Sequence, residues 1–218
     1  MSTAGRDTRE RLLATAEELF ATRGIDAVSV RDITEAADAN TASINYHFGS
    51  KRGLIDAIVE RRAEALGRRR AELLDELEGT EPVDLRAVTR AMVLPTAELV
   101  HDDPTGRFYV SFLAALGDHP ELMPALDAFE PATERYLRAL ARATPELPAK
   151  VRVLRFAVAK DLTNRVLGQT NGPIHVWAER HGVEIDDGEH GRVDSVVDML
   201  VGIFTAPVSV PSGVGDRG

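Results

Sequence analysis

Residues 29–51, SVRDITEAADANTASINYHFGSK, constrain this chain more than any other stretch. Two short runs with helical apolar spacing are separated by only a few residues, so they must pack against each other across a tight turn. Ser29 is placed to cap the first run, its hydroxyl accepting from an open backbone amide. Val28 before the cap and Ile33 four positions after it form a hydrophobic staple. Ile33, Ala36 and Ala37 are expected to face inward, the alanines allowing a neighbouring helix to come close. Asp38 falls in the turn, where a positive φ is often needed and Asp tolerates it better than most residues. Asn40 or Thr41 caps the second run, and Ile44 and Phe48 point to the core.

That leaves Thr41, Ala42, Ser43, Asn45 and Tyr46 facing outward. The face is small, polar and uncharged apart from its end, which suits entry into a groove. Asn reads adenine bidentately, and Ser, Thr and Ala reach base edges. Tyr46, His47 and Lys51 suit phosphates. An ordinary solvent-facing helix has the same polarity, but carries more Glu, Lys and Arg. The pattern is that of a helix-turn-helix, which lays its second helix in the major groove.

The flanking sequence supplies a scaffold. A helix over residues 8–23 is expected, with Asp7 and Glu10 in a capping pattern, Leu12, Leu13, Ala16, Leu19 and Phe20 on one face, and Gly24 as the stop. Arg6, Arg9 and Arg11 either touch phosphate or are solvated surface. Gly49 and Ser50 introduce a long helix over 51–78, striped by Leu54, Ile55, Ile58, Val59, Leu66, Leu73, Leu74 and Leu77. Its run Arg68, Arg69, Arg70 reads as a solvated face. Further helices are expected over 84–100, kinked by Pro95, over 105–117, and over 120–143 with interruptions at Pro124 and Pro131. Another follows over 148–169, striped by Val151, Leu154, Val158, Leu162 and Val166, then a short one over 174–180. A last helix over 189–205 carries Val193, Val196, Val197, Leu200, Val201 and Phe204. The chain reads as all-α: a helix-turn-helix domain over 1–50, a helical effector-binding and dimerisation domain over 51–206, and a disordered tail over 207–218.

Charge locates the surface that meets nucleic acid. The net charge is −9, from 26 Lys+Arg and 35 Asp+Glu. Residues 1–70 hold 12 basic and 11 acidic groups (+1), so residues 71–218 hold 14 and 24 (−10). An acidic body repels phosphate, which confines DNA contact to the N-terminal end. No apolar run approaches the roughly 20 residues that cross a bilayer. With no cysteine and no secretory core at the N-terminus, the reading is cytoplasmic. A paired nucleophile and base, a phosphate loop and a metal cluster are all missing from the pattern, so no enzyme, cofactor or metal site is expected. His175, His181 and His190 with Asp186, Asp187 and Glu189 fit no ligand spacing and read as a solvated loop.

The segments AEELFATRGIDAVSVRDITEAA and TASINYHFGSKRGLIDAI resemble the tetracycline-repressor (TetR) family of bacterial transcription regulators. The ending INYHFGSK is its most specific part, and the resemblance covers residues 8–60. It implies a repressor that binds a pseudo-palindromic operator as a homodimer and is released by a small effector. It places Ser29 on a phosphate at the start of the first motif helix, and Arg31 on a base or the backbone. Thr41, Ala42, Ser43 and Asn45 fall on the base-reading face, and Tyr46, His47 and Lys51 on phosphates. Thr34 and Asp38 stand where the family has a small Ala and a turn Gly.

Two further expectations concern the body. The last helix supplies the dimer surface through Val193, Val197, Leu200, Val201 and Phe204, with the 148–169 helix beside it. A largely apolar effector is expected among Met92, Phe108, Phe112, Leu116, Met123, Phe156 and Trp177, each of which also reads as plain core. Lys160, Asn164 and Arg165 either supply polar recognition or form ordinary ion pairs.

Overall fold

The computed structural model describes residues 3–119, 121–122, 129–168, 173–183 and 189–208. Pro124, Asp186, Asp187 and the tail beyond Val208 lie outside them. Ten helices are described, with no strand among the described residues. They are α1 (Thr3–Arg23), α2 (Val30–Ala36), α3 (Thr41–Phe48), α4 (Lys51–Glu78) and α5 (Leu85–Asp102). Then come α6 (Gly106–Leu116), α7 (Glu130–Ala143), α8 (Ala149–Gly168), α9 (Pro173–Arg180) and α10 (Glu189–Thr205). No helix among the described residues is long and apolar enough to cross a membrane.

Local chemistry sets the helix ends. Gly24 closes α1 at φ +85°, and Gly49 closes α3 at +75°. Asp38 holds the α2–α3 turn at φ +48°, the left-handed conformation expected of it. Ser29, Asn40, Ser50 and Asp84 each accept a backbone amide at the start of the next helix. At Ser29 the cap is reciprocal, because Asp32 accepts the Ser29 amide at 2.7 Å. α5 runs through Pro95, which is buried.

Two apolar clusters hold the helices. The first joins Leu12, Leu13, Phe20, Ile33, Ile44 and Ile58 to Tyr109, Phe112 and Leu116. The Phe20 and Phe112 rings stack at 5.9 Å, so α6 docks directly on α1. The core under the helix-turn-helix therefore runs past residue 50, through the first half of α4 and into α6. The second cluster packs α10 against α5 and α8 around Met92, Val93, Tyr136, Phe156, Val197 and Leu200.

A buried ionic link crosses between the two ends. The Glu17 carboxylate, 1% exposed, receives Arg61 at 2.8 Å and Arg62 at 3.2 Å. Arg62 also donates to Asp103 and to the Thr105 hydroxyl, both at 2.5 Å. One guanidinium thus ties α1 to α4 and to the α5–α6 turn. Burial pushes the Glu17 carboxyl above its ordinary 4.5, against the pull of both arginines. At Asp103 the balance is reversed: hydrogen bonds from Arg62 and Thr105 outweigh burial and hold it at about 2.

Candidate nucleic-acid interface

The outer face of α3 rests on buried Ile44, while Thr41, Ala42, Asn45 and Tyr46 are exposed. Tyr46 is 78% exposed, which is unusual for a large aromatic with no partner beyond the edge of His47, at 4.9 Å. Asn40 is the cap; its Oδ1 accepts from the Ser43 amide at 3.0 Å and from the Ser43 hydroxyl at 3.1 Å. The Ser43 hydroxyl is thus partly engaged, and the residue is half-buried. Arg31 is exposed on the first turn of α2. Ser29 is exposed as well, but its hydroxyl already donates to Asp32. That bond and the Ser29 amide hold the Asp32 carboxyl below its ordinary value.

Two expectations change. Lys51 is turned inward: Nζ donates to the Ile25 carbonyl at 2.5 Å and lies 5.5 Å from the centre of the Phe20 ring. As the first residue of α4 it staples that helix to the turn after α1, so its charge is not presented with Tyr46. Ala36 is exposed, and only Ala37 of the alanine pair is buried. Arg11 was no more than a candidate phosphate contact. Its Nε donates to the Ala37 carbonyl at 3.4 Å, bracing the end of α2.

A short, uncharged helix presented from a capped helix-turn-helix is the arrangement found in DNA-binding transcription regulators. The family of bacterial regulatory proteins named tetR matches residues 12–58. The HTH-type transcriptional repressor KstR2 of Rhodococcus jostii is 33% identical over 99 residues, 45% of this chain and 46% of the repressor. The match thus spans under half of that relative's length. A TetR-family transcriptional regulator from Bordetella parapertussis has the same fold, with a TM-score of 0.61 at 13% identity over 93% of this chain and 98% of the other. The ketosteroid transcriptional regulator KstR2 of Mycobacterium tuberculosis gives 0.56 at 18% identity, over 90% and 92%. Residues 12–58 thus match the tetR family of bacterial regulatory proteins, and the described helices share the fold of its solved members.

In the body, the expected effector residues do not converge. Phe112 and Leu116 are buried in the cluster beneath the helix-turn-helix, because one side of α6 faces α1. Met92 and Phe156 are buried in the second cluster, and Phe108 is half-buried. Trp177 is 60% exposed, stacked on His181, and Met123 lies outside the described residues. Besides a cleft of about 360 Å³ beside Leu77, Arg138 and Arg142, two clefts open elsewhere among the described residues. One of about 400 Å³ is lined by Ala97, His101, Arg107, Leu167, Arg192 and Val193. The other, about 320 Å³, lies between α4 and α7 and is lined by Gly67, Ala71, Leu74, Phe129, Ala132 and Arg135. None of the seven residues lines either cleft. No cluster of three or more metal-ligating side chains occurs among the described residues.

The dimer expectation also needs correction. Val193, Val197, Leu200 and Phe204 are buried within the chain against α5 and α8, and Val201 is half-buried. The four buried side chains are core of one protomer, and only Val201 keeps part of its surface open. The apolar face left open is on α8, where Val153, Leu154 and Val158 are exposed, Leu154 at 64%. Met199 is exposed on neighbouring α10. α8 carries apolar residues on both faces; its buried side is Phe156, Ala159, Thr163 and Leu167. Spacing alone could not decide between the two.

Sequence reasoning passed over two further groups. The run Arg68, Arg69, Arg70 reads as surface in sequence, yet Arg70 lies on the buried face of α4, four residues from Leu66 and four from Leu74. That spacing was the available signal. Glu17 lies one position after Ala16 of the apolar stripe, and its burial depends on arginines 44 and 45 residues away.

Proposed function

We propose that this chain is a repressor that binds a pseudo-palindromic operator as a homodimer in the cytoplasm and is released by a small-molecule effector. The observation that carries the reading is the open face of α3, with Asn45 and Tyr46 exposed above a rigid base. Thr41, Ala42, Ser43 and Asn45 read base edges. Ser29, Tyr46 and His47 hold phosphates, and Arg31 reaches a base or the backbone. A monomer covers one half-site, so useful affinity needs two heads related by a two-fold axis, about 34 Å apart on the duplex. The pairing surface is the exposed face of α8, Val153, Leu154, Ala157 and Val158, beside Ser195, Met199 and Gly202 of α10. Small residues on α10 allow a close approach. Residues 1–50 read the operator and the rest pairs and senses; a shift in the body reaches the head through α4 and the Glu17–Arg62–Asp103 link.

The test is duplex binding to the DNA upstream of the protein's own gene across a salt series. Specific binding weakens steeply as salt rises. Tyr46→Ala weakens binding to all sequences, whereas Asn45→Ala also changes the preferred base. No duplex binding at low salt refutes the reading, and equal losses for both variants on every sequence refute the role given to Asn45.

A further inference from the structure

Two basic side chains in the body, Arg70 and Lys160, hold a buried nitrogen with no hydrogen-bond partner among the described residues. On α4, Arg68 pairs with Glu64, and Arg69 with Glu72 and Glu98. Arg70 is 5% exposed and pairs with no carboxylate among the described residues. Its Nε is buried without a hydrogen-bond partner among the described residues, and its guanidinium lies 4.8 Å from the centre of the Phe129 ring. The charged or titratable groups within electrostatic reach are Tyr109 of α6, Tyr136 of α7 and Lys160 of α8. Neither tyrosine is a counter-ion. Both hydroxyls donate to backbone carbonyls, of Val59 and Ala91, and burial pushes both up, Tyr136 to about 12. The Nζ of Lys160 is itself buried and unpartnered, although the residue as a whole is only half-buried.

Such a site is costly when empty. A lysine escapes by giving up its proton, and burial, reinforced by Arg70, drives Lys160 well below the ordinary lysine range. An arginine has no such escape and stays charged. Breaking even with burial requires an anion at the guanidinium. Phe129, which carries the guanidinium, also walls the cleft of about 320 Å³ between α4 and α7, a cleft that neither Arg70 nor Lys160 lines.

We propose that Arg70 and Lys160 are the anion-recognition element of the body, and that the effector is an organic acid whose carboxylate they hold while its apolar part meets Phe129 and its neighbours. This rests on the effector reading above and adds a carboxylate to the largely apolar ligand expected there. The carboxylate engages α4 directly. Arg70 is 19 residues from Lys51 at the head of the same helix, about 28 Å along its axis. An anion that draws α4 and α8 together acts on the lever that carries the helix-turn-helix.

The experiment is calorimetric titration of the full chain with octanoate and cyclohexanecarboxylate, each against its amide. Wild type binds the acids about 10- to 100-fold tighter, the range expected of a charge-assisted pair. Arg70→Met and Lys160→Met each remove most of that preference, so either variant carries the test if the other does not fold. Ligand-free Arg70→Met melts no lower than wild type, because an uncompensated charge has been removed. Equal affinity for acid and amide, or no binding of either at millimolar concentration, overturns the proposal. So does an Arg70→Met protein that melts several degrees lower. Release of wild type from its operator DNA separates the two readings. Release by the amides as well as by the acids leaves an effector site but no anion site. Tight acid binding without release leaves the anion site and removes its role as effector.

Discussion

Arg62→Met tests the link between the head and the body. Arg62 holds the buried Glu17, Asp103 and the Thr105 hydroxyl at once, and its guanidinium lies 5.4 Å from the centre of the Tyr109 ring. Breaking a buried ion pair costs about 3–5 kcal/mol, and an exposed one about 0–1. Here Glu17 keeps Arg61, and Asp103, 35% exposed, keeps two hydrogen bonds from Thr105. Methionine also retains much of the stem over Tyr109. About 2–3 kcal/mol is the expected loss at neutral pH, or roughly 4–12 °C in melting temperature for a chain of this length. Its pH dependence has a definite sign. Glu17 is raised, so its ionised form is the unfavourable one in the fold, and losing Arg62 makes it more so; the deficit shrinks as pH falls and Glu17 protonates. Asp103 is lowered, so its stabilising contribution is present above its ordinary 3.8 and is lost as pH falls towards about 2. Both effects make the deficit largest at neutral pH and smaller in acid. Urea melts of both proteins at neutral pH and in mild acid measure it. A variant within about 0.5 kcal/mol of wild type at neutral pH, or a deficit that widens on acidification, refutes the reasoning.

Asn40→Ala removes the side chain that caps α3 and is expected to cost about 1 kcal/mol, read by chemical denaturation, with a matching loss of duplex affinity as the helix end frays. Leu154→Glu puts a charge in the centre of the open α8 face; sedimentation should then give a monomer with a wild-type melt, and an unchanged oligomer rules out this surface. Arg68→Met serves as a silent comparison, because its pair with Glu64 is exposed, and a shift beyond about 0.5 kcal/mol contradicts the distinction drawn for Arg62.

Much of the fold was legible because its signals are local. Helix periodicity, the caps at Ser29 and Ser50, the stops at Gly24 and Gly49, and the positive φ at Asp38 each depend on a few neighbouring residues. Residues 51–78 gave α4 at its observed ends. The outward set Thr41, Ala42, Asn45 and Tyr46 follows from the same arithmetic, because α3 has one inward face and Ile44 defines it.

The uses of the other faces were not local. On α8, Leu154 and Phe156 are equally apolar, and only the placement of α5, α7 and α10 decides that Phe156 is core and Leu154 is surface. On α10 the cleanest stripe in the chain is the inside of one protomer, since α5 and α8 already fill the space in front of it. Lys51 looked like a phosphate contact until the Ile25 carbonyl came within 2.5 Å of its ammonium.

The sequence by itself determined that the chain is helical, where most of the described helices end, and which short helix turns a polar face outward, because backbone hydrogen bonding and capping act over three or four residues. Only the tertiary structure decided where each charge rests. Arg68, Arg69 and Arg70 are adjacent in the chain, and they differ in what surrounds them: Glu64 of the same exposed helix face for the first, Glu72 of α4 and Glu98 of α5 for the second, and for the third an aromatic interior with no anion among the described residues.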